Sequence, residues 1–217
     1  MCYITAIIPA YNEEQTIGSV LDCITKVEEI TQTIVVSDGS TDKTAEIAAA
    51  YDIEVIDLAE NVGKGGAMKA GMERCTNENV VFLDADLIGL TEKHVKDLIM
   101  PVINNDAEMT IGIFKNGRIV TDLAQKVTPY LSGQRAVKKT LLDRIPNIDI
   151  TRYGVEVALT KFVEKNSIRT KEIYLEDMTH VTKEEKLGLI KGMQARFKMY
   201  WDIVKILSSN DNKEQIK

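Results

Sequence analysis

The sequence predicts an α/β protein built on a mostly parallel sheet flanked by helices, and three observations carry that expectation. Short β-rich runs alternate with amphipathic segments of about ten residues through the first half of the chain, the rhythm of right-handed crossovers. Several of the β-rich runs stop at turn-forming or acidic residues, where a parallel sheet keeps its ligand site. The chain has 217 residues, 44% apolar and 28% charged, which is enough for a full core.

Tyr3 to Ile8 reads as the first strand, ended by Pro9, which cannot continue a central ladder. Ile17, Val20, Leu21 and Ile24 recur at helical spacing and predict a helix over Glu14 to Val27. Thr33 to Val36 is the second strand, closed by Ser37-Asp38-Gly39-Ser40, and Asp42 is placed to cap the helix after it. Ile53 to Asp57 is the third strand. Gly63 to Arg74 reads as a glycine loop followed by a helix, and Val80 to Leu83 as the fourth strand.

Beyond residue 90 the rhythm loosens. Lys93 to Ile99 reads as a helix stopped near Pro101, Glu108 to Ile113 as a strand, and Lys115 to Leu131 as a long polar connection. Helices are expected over Gln134 to Leu142 and Gly154 to Glu164, and β-rich Ile168 to Leu175 leads to His180. Leu187, Ile190, Met193, Phe197, Tyr200, Trp201 and Val204 form a helical stripe. Lys186, Lys191, Arg196, Lys198 and Lys205 make that segment basic. Its apolar face is expected to pack on the domain or on a second copy, with an interfacial membrane helix as the rival.

The formal charge of −6 speaks against a nucleic-acid partner, because the whole-protein field would repel one. Cys2, Cys23 and Cys75 have neither metal-site spacing nor the pattern of a disulfide framework, which fits a reducing compartment. Met1 to Ala10 lacks the basic region and long apolar core of a signal peptide. The expected location is cytoplasmic, with peripheral contact at the inner membrane surface left open.

Chemistry concentrates at the carboxyl ends of the expected strands. Asp84-Ala85-Asp86 directly follows Val80 to Leu83, and strand alternation points both carboxylates the same way. Two carboxylates at one edge repel unless a cation, a proton or hydrogen bonds stabilise them. Mg²⁺ or Mn²⁺ meets that need and leaves positions for diphosphate oxygens. The alternative is that one aspartate caps the next helix and the other is solvated. Asn61-Val62-Gly63-Lys64-Gly65-Gly66 sets three glycines around a lysine at a helix start, suited to a phosphate; otherwise it is a tight turn. Asp38 is placed to accept hydrogen bonds from a ribose or base, or simply to form an Asx turn.

Four stretches taken together resemble family 2-type glycosyltransferases with the GT-A fold. They are Ile8 to Glu14, Val36 to Asp42, Asn61 to Gly66 and Asp84 to Asp86. The resemblance implies one GT-A domain over 1–209, with a nucleotide-sugar half at 1–100, an acceptor half at 101–209 and a polar tail at 210–217. It implies a nucleotide-diphosphate-sugar donor. Pro9, Ala10, Tyr11 and Glu13 would flank base and ribose, and Asp38 would contact the base. Gly63 and Lys64 would lie on the nucleotide side, and Ala85 within the donor motif. Asp86 would be the principal metal ligand, with Asp84 on ribose or a water of the metal.

The second half resembles glucosyl-3-phosphoglycerate synthase and its relatives. Gly117 to Leu123 is similar to their Gly-Arg-Val-Thr-Glu-Leu stretch, with one extra residue, and Leu131 to Ala136 to their acceptor-side loop. This implies Arg118 and Thr121 in catalysis and acceptor binding, Ser132, Gly133 and Arg135 on the acceptor side, and His180 as a metal ligand. Met178 stands where those enzymes carry an arginine. The implied reaction moves glucose from UDP-glucose to a small anionic or phosphorylated acceptor with retention, and a homodimer is implied as well. Alternatives are a polyprenyl-phosphate acceptor, a sugar-phosphate nucleotidyltransferase, or a non-catalytic nucleotide-sugar-binding protein. Pro9 to Glu14 lacks the glycine-rich arginine stretch and Pro-Lys pair of a nucleotidyltransferase. Arginine suits a bidentate anion contact. Arg118→Ala should therefore raise the acceptor KM about 10-fold while the donor KM stays put; a donor effect without an acceptor effect would reverse the assignment.

Overall fold

Strand β1 (Ile4–Ala10) buries both its faces, and the layers follow from that. Ile4, Ala6 and Ile8 belong to one core cluster and Ile7 to another, because successive side chains of a strand point to opposite faces. The structure, a computed structural model, describes residues 3–115, 132–144 and 155–180. The chain divides into two compact units, Met1–Thr179 and His180–Lys217, whereas the sequence reading treats 1–209 as one domain. The stripe from Leu187 to Val204, the tail at 210–217 and the Gly117 to Leu123 stretch lie outside the described residues.

On the first face lie α1 (Ile17–Ile24), α2 (Thr44–Ala49) and α4 (Glu92–Ile103). Helix α1 buries Ile17, Val20, Leu21, Cys23 and Ile24, the stripe that its spacing announces. Burial, with Glu92 adding to the effect, pushes the Cys23 thiol up to about 11, so it serves as an uncharged core residue. On the second face lie α3 (Lys64–Arg74), α5 (Lys139–Leu142) and α6 (Val155–Lys165). Met68, Leu141, Leu159 and Val163 pack there with Ile7, Val80 and Phe82.

Between the layers runs a seven-stranded sheet. Its other members are β2 (Ile30–Ser37), β3 (Glu54–Asp57), β4 (Asn79–Phe82), β6 (Met109–Lys115), β7 (Arg135–Lys138) and β8 (Thr170–Glu176). Leu87–Ile88 forms a two-residue strand, β5, outside this sheet. The order is β3-β2-β1-β4-β7-β6-β8, parallel except for β7, which runs antiparallel to both neighbours. Strand β1 pairs with β2 on one edge and β4 on the other. Among the described residues no helix is long and apolar enough to cross a membrane.

Three local expectations are corrected. Strand β1 does not stop at Pro9 but pairs through to Ala10. The Ile7 carbonyl accepts Leu83 N and the Ala10 carbonyl accepts Asp38 N, so odd positions of β1 bond towards β4 and even ones towards β2. The missing N–H of Pro9 therefore falls on the β4 side, just where β4 ends. Helix α4 passes Pro101 to Ile103, because buried Val102 holds its last turn on the core. Gln134 to Leu142 is strand β7 followed by the short α5 rather than one helix. Ladder bonds from β4 and β6 on its two edges outweigh the helix preference of its residues.

Helix α3 sits close to the sheet at Gly71, where an added Cβ would lie 2.6 Å from Cγ2 of fully buried Ile7. That methyl branches at Cβ and has nowhere to turn. Gly71→Val is expected to lower stability by about 1–3 kcal/mol through overpacking, read as an earlier urea midpoint at unchanged slope.

Candidate active site

Because β1, β2 and β4 run parallel, the residues beyond their carboxyl ends share one edge of the sheet. The loop after β1 and the loop after β2 are stitched together there. Asn12, in left-handed conformation at φ 55°, accepts Thr41 N through Oδ1 at 2.8 Å and donates its own N–H to Ser40 Oγ at 3.2 Å. Glu13 N donates to Thr44 Oγ1 at 2.8 Å and Glu14 N to Asp42 Oδ2 at 3.1 Å. Asp42 Oδ1 accepts Thr44 N at 3.0 Å, but the N-cap position of α2 falls to Lys43, one residue later than expected, and carries no side-chain cap bond. These bonds leave Tyr11 at the apex, 49% exposed.

Asp38 is buried, and each of its carboxylate oxygens accepts a backbone amide: Val62 N at 2.8 Å and Gly63 N at 2.9 Å. Its side chain thus shapes the turn into α3. Gly63, at φ 87°, takes a conformation that favours glycine, and α3 starts at the next residue. The expected glycine loop is therefore short, with Gly65 and Gly66 already in the first turn.

Lys64 points from that turn to the acidic pair. Its Nζ lies 2.6 Å from Asp84 Oδ1, with the two side chains 30% and 28% exposed. Gln134 Nε2 donates to the other oxygen, Asp84 Oδ2, at 2.7 Å. Gly133 packs over this pair so closely that a Cβ would lie 2.5 Å from both Asp84 Oδ2 and Lys64 Nζ. Alternation continues past the end of β4. Leu83, Ala85 and Leu87 are 1%, 3% and 1% exposed, while Asp84 and Asp86 between them are half-buried. Both carboxylates therefore turn away from the core layer that takes Ala85.

In the loop before β7, Ser132 Oγ donates to the Gly112 carbonyl at 2.5 Å. Arg135 is 1% exposed and donates from Nε to the Ser132 carbonyl and from Nη2 to Thr160 Oγ1, both at 2.9 Å. Expected as an acceptor-facing charge, Arg135 instead braces the Ser132–Gln134 loop against α6. Met178 is a core residue at 1% exposure and holds no polar position. Arg118 and Thr121 lie outside the described residues, as does the side chain of His180. Among the described residues no three His, Cys, Asp or Glu side chains gather as a metal cluster. Gln134 is the side chain that sequence reasoning passed over. It lay inside a quoted stretch, but its partner is 50 positions away and no local pattern marks it. A shallow depression between α4 and β8, lined by Lys96, Pro101, Ile173 and Tyr174 among others, shares no residue with this edge.

A family model described as "Glycosyl transferase family 2" matches residues 5–164. A dolichyl-phosphate beta-glucosyltransferase of Drosophila melanogaster is 40% identical over 99 residues, covering 38% of this chain and 30% of that relative. A 4,4'-diaponeurosporenoate glycosyltransferase of Staphylococcus aureus (strain USA300) is 37% identical over 101 residues, covering 44% and 27%. The match thus spans less than a third of either curated relative. Glucosyl-3-phosphoglycerate synthase from Mycobacterium tuberculosis, solved with Mn²⁺ and UDP-glucose, aligns at TM-score 0.76 and 25% identity over 96% of this chain and 78% of that one. Solved with Mn²⁺, UDP and phosphoglyceric acid, it aligns at 0.71 and 27% over 82% and 70%. The expected GT-A fold is the fold of this protein.

The stitched loops set an acid limit. Burial alone pushes the Asp42 carboxyl up, but bonds from the Thr44 hydroxyl, the Thr44 amide and the Glu14 amide outweigh it and hold the group below its ordinary 3.8. A carboxyl lowered on folding adds stability above its unfolded pKa, and that stability is lost as pH falls through the folded one. Asp42→Asn should therefore lower the unfolding temperature at pH 7, and its gap from the unaltered chain should narrow as pH drops below 3.8. A gap that does not change with pH would assign the effect to something other than the carboxylate.

Proposed function

The chain belongs to glycosyl transferase family 2, and from that premise we propose that it transfers glucose from UDP-glucose to a small anionic or phosphorylated acceptor. The observation that carries this reading is the convergence of Asp84, from the end of β4, with Lys64, from the start of α3. It sets an acidic pair, a helix N-terminus and a cation on one edge, the parts that a sugar diphosphate needs.

The donor set fits a hard divalent cation. The resemblance assigns Asp86 as the principal ligand, while Asp84 meets Lys64 and Gln134. When bound, Mg²⁺ or Mn²⁺ would neutralise negative charge developing on the departing nucleoside diphosphate. Pro9, Ala10, Tyr11 and Glu13 flank the base and ribose, and exposed Tyr11 offers a ring face to the base. Asp38 has lone pairs beyond the two used on backbone amides and can accept from the base as well. Gly63 and Lys64 line the diphosphate side. The acceptor anion falls to Arg118 and Thr121, with Ser132 and Gly133 as the loop beside it. Met178 offers no charge for that task.

A second reading, transfer to a polyprenyl phosphate, is favoured by the likeness to a dolichyl-phosphate enzyme. The small acceptor is preferred because the likeness to the phosphoglycerate enzyme runs through both halves of the chain. Retention of anomeric configuration belongs to the same reading.

The test is an acceptor screen by mass spectrometry: small phosphorylated acids against polyprenyl phosphates, with a panel of nucleotide sugars and with or without Mn²⁺. Product with a phosphorylated acid and UDP-glucose is expected; product only with the lipid phosphates would select the second reading. Tight metal-dependent binding without turnover on any donor would make this a binding protein. Asp86→Ala is expected to cut turnover about 100-fold or more and to weaken metal binding in the presence of UDP by calorimetry. Unchanged values for both would remove Asp86 from the metal site.

A further inference from the structure

The loop before β7 reaches the acidic pair through one side chain. Gln134 is 1% exposed. Its carbonyl accepts Gly112 N at 2.8 Å, and its amide N–H donates to Ser132 Oγ at 3.3 Å. Arg135 ties the same loop to Thr160 on α6. A continuous path therefore runs from α6 through Arg135, Ser132 and Gln134 to Asp84, and through Asp84 to Lys64 on α3.

We propose that Gln134 is a positioning residue for the transfer reaction: it fixes the plane of the Asp84 carboxylate towards the donor, so that the acceptor-side strand sets donor-site geometry. This rests on the glycosyltransferase reading for its substrate. Lys64 meets Oδ1 from the end of a flexible stem whose ammonium has no fixed direction. The terminal torsion of a carboxylate has a broad well, and a directional bond narrows it. The amide of Gln134 supplies a directional donor to the second oxygen from a side chain that is buried and pinned at its backbone. Being neutral, it leaves the carboxylate its charge. Gly133 completes the arrangement, since any side chain there would collide with the atoms being held.

A merely structural glutamine would affect folding and leave donor recognition alone. Gln134→Met keeps the length of the side chain and removes the N–H. Affinity for UDP-glucose, measured by calorimetry with Mn²⁺, should fall about 10-fold, the scale of one hydrogen bond to a charged group. In an Asp84→Asn background the same change should lower affinity less than about 2-fold, because residues acting through one contact do not add. Should Gln134→Met fail to fold by thermal unfolding, Gln134→Glu carries the same comparison. It is of equal size, turns an oxygen towards Asp84, and should lose at least as much affinity. Unaltered affinity in the folded variant, or losses that multiply with those of Asp84→Asn, would overturn the proposal. No UDP-glucose binding by the unaltered chain would instead overturn the donor reading, and this proposal with it.

Discussion

A strand buried on both faces and paired on both edges can present chemistry only at its ends. Strand β1 is such a strand, with β2 and β4 parallel on either side and helices above and below. The parallel direction places the exits of all three strands on one edge, and the loops leaving them must find partners there. They find them in each other. Asn12, Glu13 and Glu14 bond to Ser40, Thr41, Asp42 and Thr44, and Asp38 bonds to the turn into α3. The site is thus built from the backbone groups that a parallel sheet leaves unsatisfied at its carboxyl end.

Charge supplies the second constraint. Asp84 and Asp86 are brought to one side of the chain by alternation, which would set like charges against each other. Lys64 answers this at 2.6 Å, and Gln134 adds a neutral donor. A lysine at the start of α3 is an unusual choice for that helix alone, since a helix N-terminus favours negative charge. Its placement becomes reasonable once Asp84 is opposite it. The first turn of α3 carries no acidic residue of its own, so Asp84 and any bound diphosphate are the anions that meet it.

The donor side was legible because its signals are local. Alternation placed Asp84 and Asp86 together, and the burial of Leu83, Ala85 and Leu87 keeps the same period after the strand ends. Turn chemistry marked Asp38 and Gly63, and Asp42 was read as a cap one residue before the N-cap of α2 falls. What stayed hidden were partners at long range. Lys64 looked like a solitary phosphate contact because Asp84 is 20 positions away on another element. Gln134 to Lys138 looked helical because Gln, Arg, Ala and Lys favour helices, and nothing nearby shows that β4 and β6 stand ready to pair with them. Arg135 is expected from the sequence as an acceptor contact, and nothing local shows that it is buried with bonds to the Thr160 hydroxyl and the Ser132 carbonyl.

The same contrast bears on why one sheet can serve different acceptors. On the proposed reading, donor recognition falls to β1, β2 and β4 and to loops that are stitched to one another, so a change in any of them disturbs the others. On the same reading, acceptor recognition is proposed for Arg118 and Thr121, which the sequence sets in a polar stretch, and for a loop held from behind by Arg135. Residues in such connections can be exchanged without touching the parallel core. Met178, which the resemblance sets at an arginine position, is a buried apolar side chain that joins the core. Gln134 marks where that freedom ends. It stands in the loop before β7, yet its amide is committed to Asp84 just beyond β4, so on the proposed reading acceptor variation stops there.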